Sequence, residues 1–97
     1  MIKLHVEWDE QKNAINQQKH GVAFEEAQTV FLDEGARRKA DPEHSQQEKR
    51  YLLLGQSNEG RILMISHCYR ESNSTLRIIS ARLAGKKERA IYEEFLK

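Results

Sequence analysis

Apolar positions alternate loosely at the start of the chain (Ile2, Leu4, Val6, Trp8), the period-two pattern of a half-buried strand. Asp9 then offers an N-cap for a helix running to about His20, with Gly21 as the left-handed residue that ends it. That helix is very polar. Ala14 and Ile15 are its only apolar members, which predicts packing through a narrow seam that leaves Lys12, Asn16, Lys19 and His20 largely free. A second helix is expected from Phe24, because Phe24, Ala27, Val30 and Phe31 recur at helical spacing. Glu25 and Glu26 occupy its first turn, where the helix dipole favours acids. Asp33-Glu34-Gly35 ends it, and the two helices around Gly21 predict an N-terminal helical hairpin.

The pattern then changes period. Residues 36–40 suit a short strand despite the basic Arg37-Arg38-Lys39, and Asp41 to Ser45 is turn chemistry around the only proline. Arg50 to Gln56 reads as a strand, Ser57-Asn58-Glu59-Gly60 as a hairpin turn, and Arg61 to Arg70 as the next strand. A polar turn over residues 71–74 leads into a third strand over 76–84, so the three make an antiparallel meander. Continuous apolar runs in the last two of them predict a sheet covered on both faces, at least centrally. Gly85 breaks the last strand, and Lys86 to Lys97 reads as a helix with Ala90, Ile91 and Phe95 along one stripe and Tyr92 beside it. The class is therefore α+β: a small antiparallel sheet, an N-terminal helical hairpin and a C-terminal helix, in a single domain over residues 1–97.

Composition narrows what this fold can be. Ninety-seven residues with 38% hydrophobic and 32% charged side chains make one small domain with a thin core, which suits a protein that works with a partner. No apolar run approaches the length that spans a bilayer, and the N-terminus lacks a signal peptide's long apolar stretch, so a cytoplasmic protein is expected. The single cysteine, Cys68, excludes an internal disulfide and reads as a core thiol. A net charge of +1 argues against a protein that simply coats DNA. The charge is nevertheless uneven. Residues 1–60 carry eight Lys+Arg against eleven Asp+Glu, and residues 61–97 carry eight against four, so a net −3 precedes a net +4.

The candidate chemistry lies in that basic second part. Arg77 and Arg82 interrupt an apolar strand, and a half-buried guanidinium needs a partner because an unpaired charge is costly to desolvate. Their odd spacing sends them to opposite faces of an ideal strand; a bulge, or a strand end beyond the sheet, brings them nearer. With Lys86, Lys87, Arg89 and Tyr92 they read as a phosphate-facing wall. The plainer reading gives each arginine an acidic neighbour and leaves the lysines on a solvated helix. None of His5, His20, His44 and His67 stands at a metal-ligand spacing from another His or Cys, and no glycine-rich phosphate loop or nucleophile elbow is present. No cofactor is expected. His67 reads as a histidine hydrogen-bonded within the sheet and His20 as a helix C-terminal cation, whereas His44, in a polar loop before Glu48 and Arg50, is the better acid–base candidate. Several arginines, a tyrosine and a histidine suit RNA cleavage by the RNA's own 2′-hydroxyl, which needs a base, positive charge for the phosphorane and an acid for the leaving oxygen.

One family carries this combination. Val6-Glu7-Trp8-Asp9 with Lys12, Asn16, Lys19-His20-Gly21-Val22 and Phe24-Glu25-Glu26-Ala27 resembles the opening of the BrnT toxin family. So do Asp33, Arg50, Gly55 and the closing Arg77-Ile78-Ile79-Ser80-Ala81-Arg82 with Glu88, Arg89 and Tyr92. The resemblance covers nearly the entire chain and implies a fold similar to RelE/ParE-type toxins. It further implies a ribonuclease toxin of a type II toxin–antitoxin system, neutralised by BrnA, a ribbon-helix-helix antitoxin. Such antitoxins dimerise, so a 2:2 complex that binds operator DNA through the antitoxin is expected, with no role for a membrane. One departure is Ala23, where the family usually has Ser, Thr or Asp; losing that side-chain cap should cost the second helix about 1 kcal/mol.

The resemblance assigns Arg77 and Arg82 to phosphate binding and transition-state charge. By analogy with RelE, Tyr92 and Arg50 join them, and His44 or Glu48 is the candidate base. Lys86, Lys87 and Arg89 would contact RNA. Lys19 and His20 also match, with a structural role in the hairpin as the competing account. Two rivals stand beside this reading: a non-catalytic module that holds an antitoxin or nucleic acid, and a metal-dependent nuclease. Asp41, Glu43 and Glu48 share a loop region but form no recognised ligand pattern for the latter.

Overall fold

The computed structural model describes residues 5–70, 72 and 74–96. The chain order is β1 (His5–Glu7), α1 (Glu10–His20), α2 (Phe24–Ala27) running into a 3-10 turn (Gln28–Leu32), β2 (Arg37–Ala40), a 3-10 turn (Pro42–His44), β3 (Arg50–Gln56), β4 (Ile62–Arg70), β5 (Thr75–Leu83) and α3 (Lys86–Phe95). One sheet has the order β1-β5-β4-β3-β2. The meander β3-β4-β5 and the β2-β3 pair are antiparallel, but β1 runs parallel to β5, so the sheet is mixed rather than wholly antiparallel. Ile2 and Leu4, expected in the first strand, lie outside the described residues.

Local chemistry sets the helix ends. The Asp9 carboxylate accepts from the N–H groups of Gln11 (2.8 Å) and Lys12 (3.1 Å), and Gly21, at φ +67°, donates its N–H to the Gln17 carbonyl. The second helix is shorter than its periodicity predicts, with four α-helical residues before the chain tightens into the 3-10 turn. Ala23 contributes no side-chain cap. Instead the Oδ1 of Asn13, from α1, accepts from the Phe24 N–H at 2.9 Å, so a tertiary contact replaces the local cap whose loss the sequence implied.

Helix α1 packs through amides rather than through Ala14 and Ile15. Asn13 and Asn16 are its buried residues, while Ile15 is half exposed. The reason lies in the sheet. β1 pairs β5 only over Thr75–Arg77, which leaves the outer edge of β5 open further along. There the Asn16 Nδ2 donates to the carbonyls of Ala81 (2.7 Å) and Val22 (2.8 Å), and its Oδ1 accepts from the Ala81 N–H (3.1 Å). One amide thus satisfies backbone groups that a longer β1 would have paired, as buried peptide groups require.

The two faces of the sheet are covered unequally. Val22, Phe24, Ala27 and Val30 pack on Leu53, Leu63, Ile65, Ile78 and Ala81 to form the main core. The other face carries a smaller cluster, Leu54 and Met64 under Tyr92 of α3. Tyr92 is the only buried residue of α3; Ile91 and Phe95, expected to seat the helix, are about half exposed. The central strands are therefore enclosed near α3 but open at the far end of that second face.

Candidate functional site

Strand parity decides which side chains share the open face. Leu54 and Met64 belong to it, so alternation adds Leu52 and Arg50 on β3 and Ser66, Cys68 and Arg70 on β4. On β5 the register slips by one residue: Ser66 pairs Ser80, but His67 pairs Ile78, leaving Ile79 as the extra residue of a bulge. The bulge reverses the parity that an odd spacing would impose. Arg77 pairs Cys68 and Arg82 pairs Met64, two β4 residues of equal parity, so both arginines stand on the open face.

They are not together on it. Four residues of β4 separate their partners, about 13 Å along the strand. Arg82 sits beside α3 in a bidentate pair with Glu88, at 2.7 and 2.8 Å. The Arg82 guanidinium holds the Glu88 carboxyl down at about 2, and the same carboxylate accepts from the Gly85 N–H. This clip fixes the turn from β5 into α3. Tyr92 is likewise occupied. Its hydroxyl donates to Asp33 (2.7 Å), and burial, then Asp33, push its pKa up to about 12. Asp33 also accepts from the N–H groups of Gln56 and Gly35. Burial raises its pKa, but these donors outweigh that and hold it below the ordinary carboxylate value. Gly55 allows the approach, since a Cβ there would meet Val30 and Ala36 at 2.8 Å. Lys86, Lys87 and Arg89 are exposed on α3, at Arg82's end of the sheet.

Arg77 stands in a different group. Across the open face Arg50, Cys68, Arg77 and Glu7 lie in one row on four adjacent strands. Arg77 donates to Glu7 at 2.5 Å. Two residues along β4, Arg70 reaches Glu48 at 3.5 Å. The Arg70 pKa is raised above its ordinary value, by the Cys68 sulfur first and then by the Glu48 charge. Cys68 is fully buried among them, and burial raises its pKa, as befits a neutral thiol. The Arg50 Nε is buried with no hydrogen-bond partner among the described residues. Arg50 and Arg77 therefore stand in one row with Arg70 two residues along β4, and the carboxylates of Glu7 and Glu48 pair with Arg77 and Arg70.

The loop after β2 closes this site from the side. A cleft of about 350 Å³ is lined by Glu43, His44, Glu48 and Arg50, with Gln46 and Gln47. His44 Nδ1 lies 2.9 Å from the Asp41 carboxylate, which suits the tautomer that leaves Nε2 as an acceptor. The structure thus brings Arg50, His44 and Glu48 into one cleft, places Arg77 two strands from Arg50 in the same row, and sets Arg82 and Tyr92 apart from them. Sequence reasoning missed Arg70. Its signal was parity: two residues after Cys68, it shares that residue's face once the hairpin register pairs Cys68 with Arg50. Among the described residues no group of three or more His, Cys, Asp or Glu is arranged so that it could hold a metal ion. Among the described residues no helix is long and apolar enough to cross a membrane.

The remaining histidine of interest, His67, faces the other way. It is fully buried between Phe31, Tyr51 and Tyr69, and burial pushes its pKa down to about 4.

Comparison with known proteins agrees with this architecture. The crystal structure of the Brucella abortus ribonuclease toxin BrnT superposes with a TM-score of 0.61 at 26% identity, covering 89% of this chain and 100% of that one. No curated protein sequence matches. The family model described as the ribonuclease toxin BrnT of type II toxin–antitoxin systems matches residues 8–88. With that model spanning the two helices, all but the edge of the sheet and the start of α3, the chain belongs to the BrnT family of ribonuclease toxins.

Proposed function

We propose that this protein is a metal-independent endoribonuclease toxin whose active site is the row on the open sheet face, neutralised by a BrnA-type antitoxin. The observation that carries the reading is the register Arg50–Cys68–Arg77, with Arg70 beside it and the His44–Glu48 loop against it. Arg77 and Arg50 bind the scissile phosphate, and Arg70 adds charge at its edge. Guanidinium forks suit this role because they bind two phosphate oxygens at once. Glu7 and Glu48 hold Arg77 and Arg70 in place before substrate arrives.

His44 is the base in this scheme, since Asp41 orients its ring, whereas Glu48 is engaged by Arg70. It removes the proton of the 2′-hydroxyl, whose oxygen attacks the adjacent phosphorus; the phosphorus–5′-oxygen bond breaks, and the departing oxygen takes up a proton. The products are a 2′,3′-cyclic phosphate and a 5′-hydroxyl. Tethering of the nucleophile supplies proximity, and the arginines stabilise the charge that builds on the phosphorane oxygens. Arg82 and Tyr92 act through the fold in this reading: one clips β5 to α3, the other anchors α3 to Asp33. Lys86, Lys87 and Arg89 offer exposed charge to flanking RNA, a contribution that is sequence-independent and salt-sensitive.

The test is cleavage of single-stranded RNA by the purified protein in excess EDTA. Cyclic or 3′-phosphate ends are expected, with no cleavage of DNA or of RNA methylated at the 2′-oxygen. His44→Ala should lower the rate by about 10²–10⁴-fold while the protein stays folded. Activity abolished by EDTA and restored by magnesium would overturn the mechanism. A BrnA-type antitoxin in a 2:2 complex is the expected partner, and a 1:1 heterodimer by light scattering at all concentrations would contradict that stoichiometry.

A further inference from the structure

Strand β2 is the outermost strand on one side of the sheet, and its four residues, Arg37–Ala40, are all exposed. The Asp41 N–H donates inward to the Arg50 carbonyl at 2.9 Å. Strand alternation then turns the N–H and C=O groups of Arg38 and Ala40 outward, away from β3. The side chains do not cover this edge. Arg38 folds onto one face, with its Nη1 3.1 Å from the Tyr69 hydroxyl and its guanidinium over Tyr51. Arg37 stacks on Phe95 over the other face. Among the described residues no strand pairs with this edge, which leaves it a template for another strand.

A groove of about 220 Å³ opens beside that edge, between the sheet and α3. Leu52, Leu54 and Met64 form its floor, and the half-exposed Ile91 and Phe95 its far wall. Its rim carries Arg37 and Lys39, neither in an ion pair among the described residues. The one carboxylate in the lining, Glu88, is held bidentate by Arg82. The site is therefore apolar inside, cationic at the rim and bordered by unpaired backbone.

We infer that this edge and groove are where the antitoxin docks, through an extended acidic segment that pairs with β2 as a sixth strand. It sets an apolar side chain into the groove and carboxylates against Arg37 and Lys39. Backbone pairing supplies affinity and the groove supplies specificity, the usual division in strand addition. An RNA strand would use the rim charges but not a floor of aliphatic side chains, which favours a protein segment. Leu52 stands two residues from Arg50 on the same face, so a chain leaving the groove passes directly onto the proposed catalytic row. The inference rests on the toxin reading, which is what brings a protein antitoxin to this surface.

The experiment uses this protein and a co-expressed ribbon-helix-helix antitoxin of the BrnA type, comparing backbone-amide hydrogen exchange in the free and bound states. The Arg38 and Ala40 amides should exchange freely alone and become protected in the complex. Ala40→Pro removes one outward donor at an edge where proline is tolerated, and should weaken binding ~10-fold. The paired charge reversals Arg37→Glu and Lys39→Glu should weaken it ~100-fold. Phe95→Asp should also weaken it, and RNA cleavage by the Ala40→Pro protein should be unchanged. If the complex forms with unaltered affinity in every variant and the two amides stay unprotected, the docking site is wrong while the toxin reading stands. If the wild-type proteins form no complex, the antitoxin reading falls and takes this inference with it. If the variants lose RNA cleavage but keep antitoxin binding, the edge serves RNA and the inference is overturned.

Discussion

The covered face of the sheet and the far end of its open face use arginine in opposite ways. Beneath the helices, Arg61 meets the buried Glu26 through Nε at 3.0 Å and Nη2 at 2.5 Å, while Nη2 also donates to the Gly21 carbonyl. The Ser57 hydroxyl bonds the same carboxylate. Arg61's hydrogen bonds are the chief reason the Glu26 pKa lies below the ordinary value, and every oxygen has a donor. This cluster ties the β3–β4 turn to α2. In the row at the far end of the open face the pairs of Arg77 and Arg70 are single and partly solvated, and the Arg50 Nε has no partner among the described residues. A charge that is fully matched at folding has nothing left to offer a ligand. A charge that is half matched keeps directed donors for one.

The sharpest way to break that contrast is to remove Arg61. Arg61→Ala strands a buried carboxylate, and a loss of about 3–5 kcal/mol in unfolding free energy is expected by denaturant titration. Glu26→Ala should cost less, because the Arg61 side chain, about a third exposed, can turn to water. Equal losses in the two variants would contradict the asymmetry. On the open face, Arg50→Ala and Arg77→Ala should each lower RNA cleavage by about 10²–10³-fold, with lysine restoring only part. Their unfolding midpoints should move little. If both alanine proteins cleave at the wild-type rate, the catalytic row is misassigned.

A smaller effect comes from adjacent residues on opposite faces, His67 and Cys68. His67 is neutral in the folded protein because burial holds its pKa near 4, while in the unfolded chain it takes a proton below its ordinary value of 6.5. The unfolded state thus binds more protons between those values, and stability is present above pH 6.5 and lost as pH falls toward 4. About 2 kcal/mol should disappear between pH 7 and pH 5. Glu26 adds a second loss of the same sign below pH 4.5, as its lowered folded pKa is crossed. In His67→Leu the pH 7 to 5 loss should vanish while the lower-pH loss persists; an unchanged profile would show that another group titrates. The smallest effect is at Tyr92→Phe, which deletes the bond to Asp33 and should cost about 1 kcal/mol without changing the cleavage chemistry. A hundredfold loss of cleavage in a stably folded Tyr92→Phe protein would return that hydroxyl to the active site.

How legible each part was in the sequence follows from the range of the interactions that set it. Asp9 and Gly21 mark the ends of α1 through contacts within four residues, so composition alone places them. The Ser57–Gly60 turn and the runs on either side likewise announce the β3–β4 hairpin, and with it the neighbours of Arg50. Asn16 was misread as a free polar residue because its burial depends on the edge of β5, sixty-five residues away, needing a donor and an acceptor. Ala23 looked uncapped for the same reason, its substitute coming from another helix. The parallel placement of β1 against β5 has no local signal either.

The candidate site divides along this line. Which residues carry charge, and which of them are candidates for a phosphate site (Arg77, Arg82, Arg50, His44, Glu48 and Tyr92), was readable from residue type, spacing and family resemblance. Which of them meet was not. A single extra residue at Ile79 sets the face on which Arg77 emerges, because side chains alternate with a period of two and one slip reverses them all. The same sheet places Arg82 beside Glu88 and leaves Arg77 beside Cys68 and Arg50. Short-range chemistry determined the elements of this protein; only their packing decided that Arg82 pairs with Glu88 beside α3 and that Arg77 stands in the row with Cys68 and Arg50.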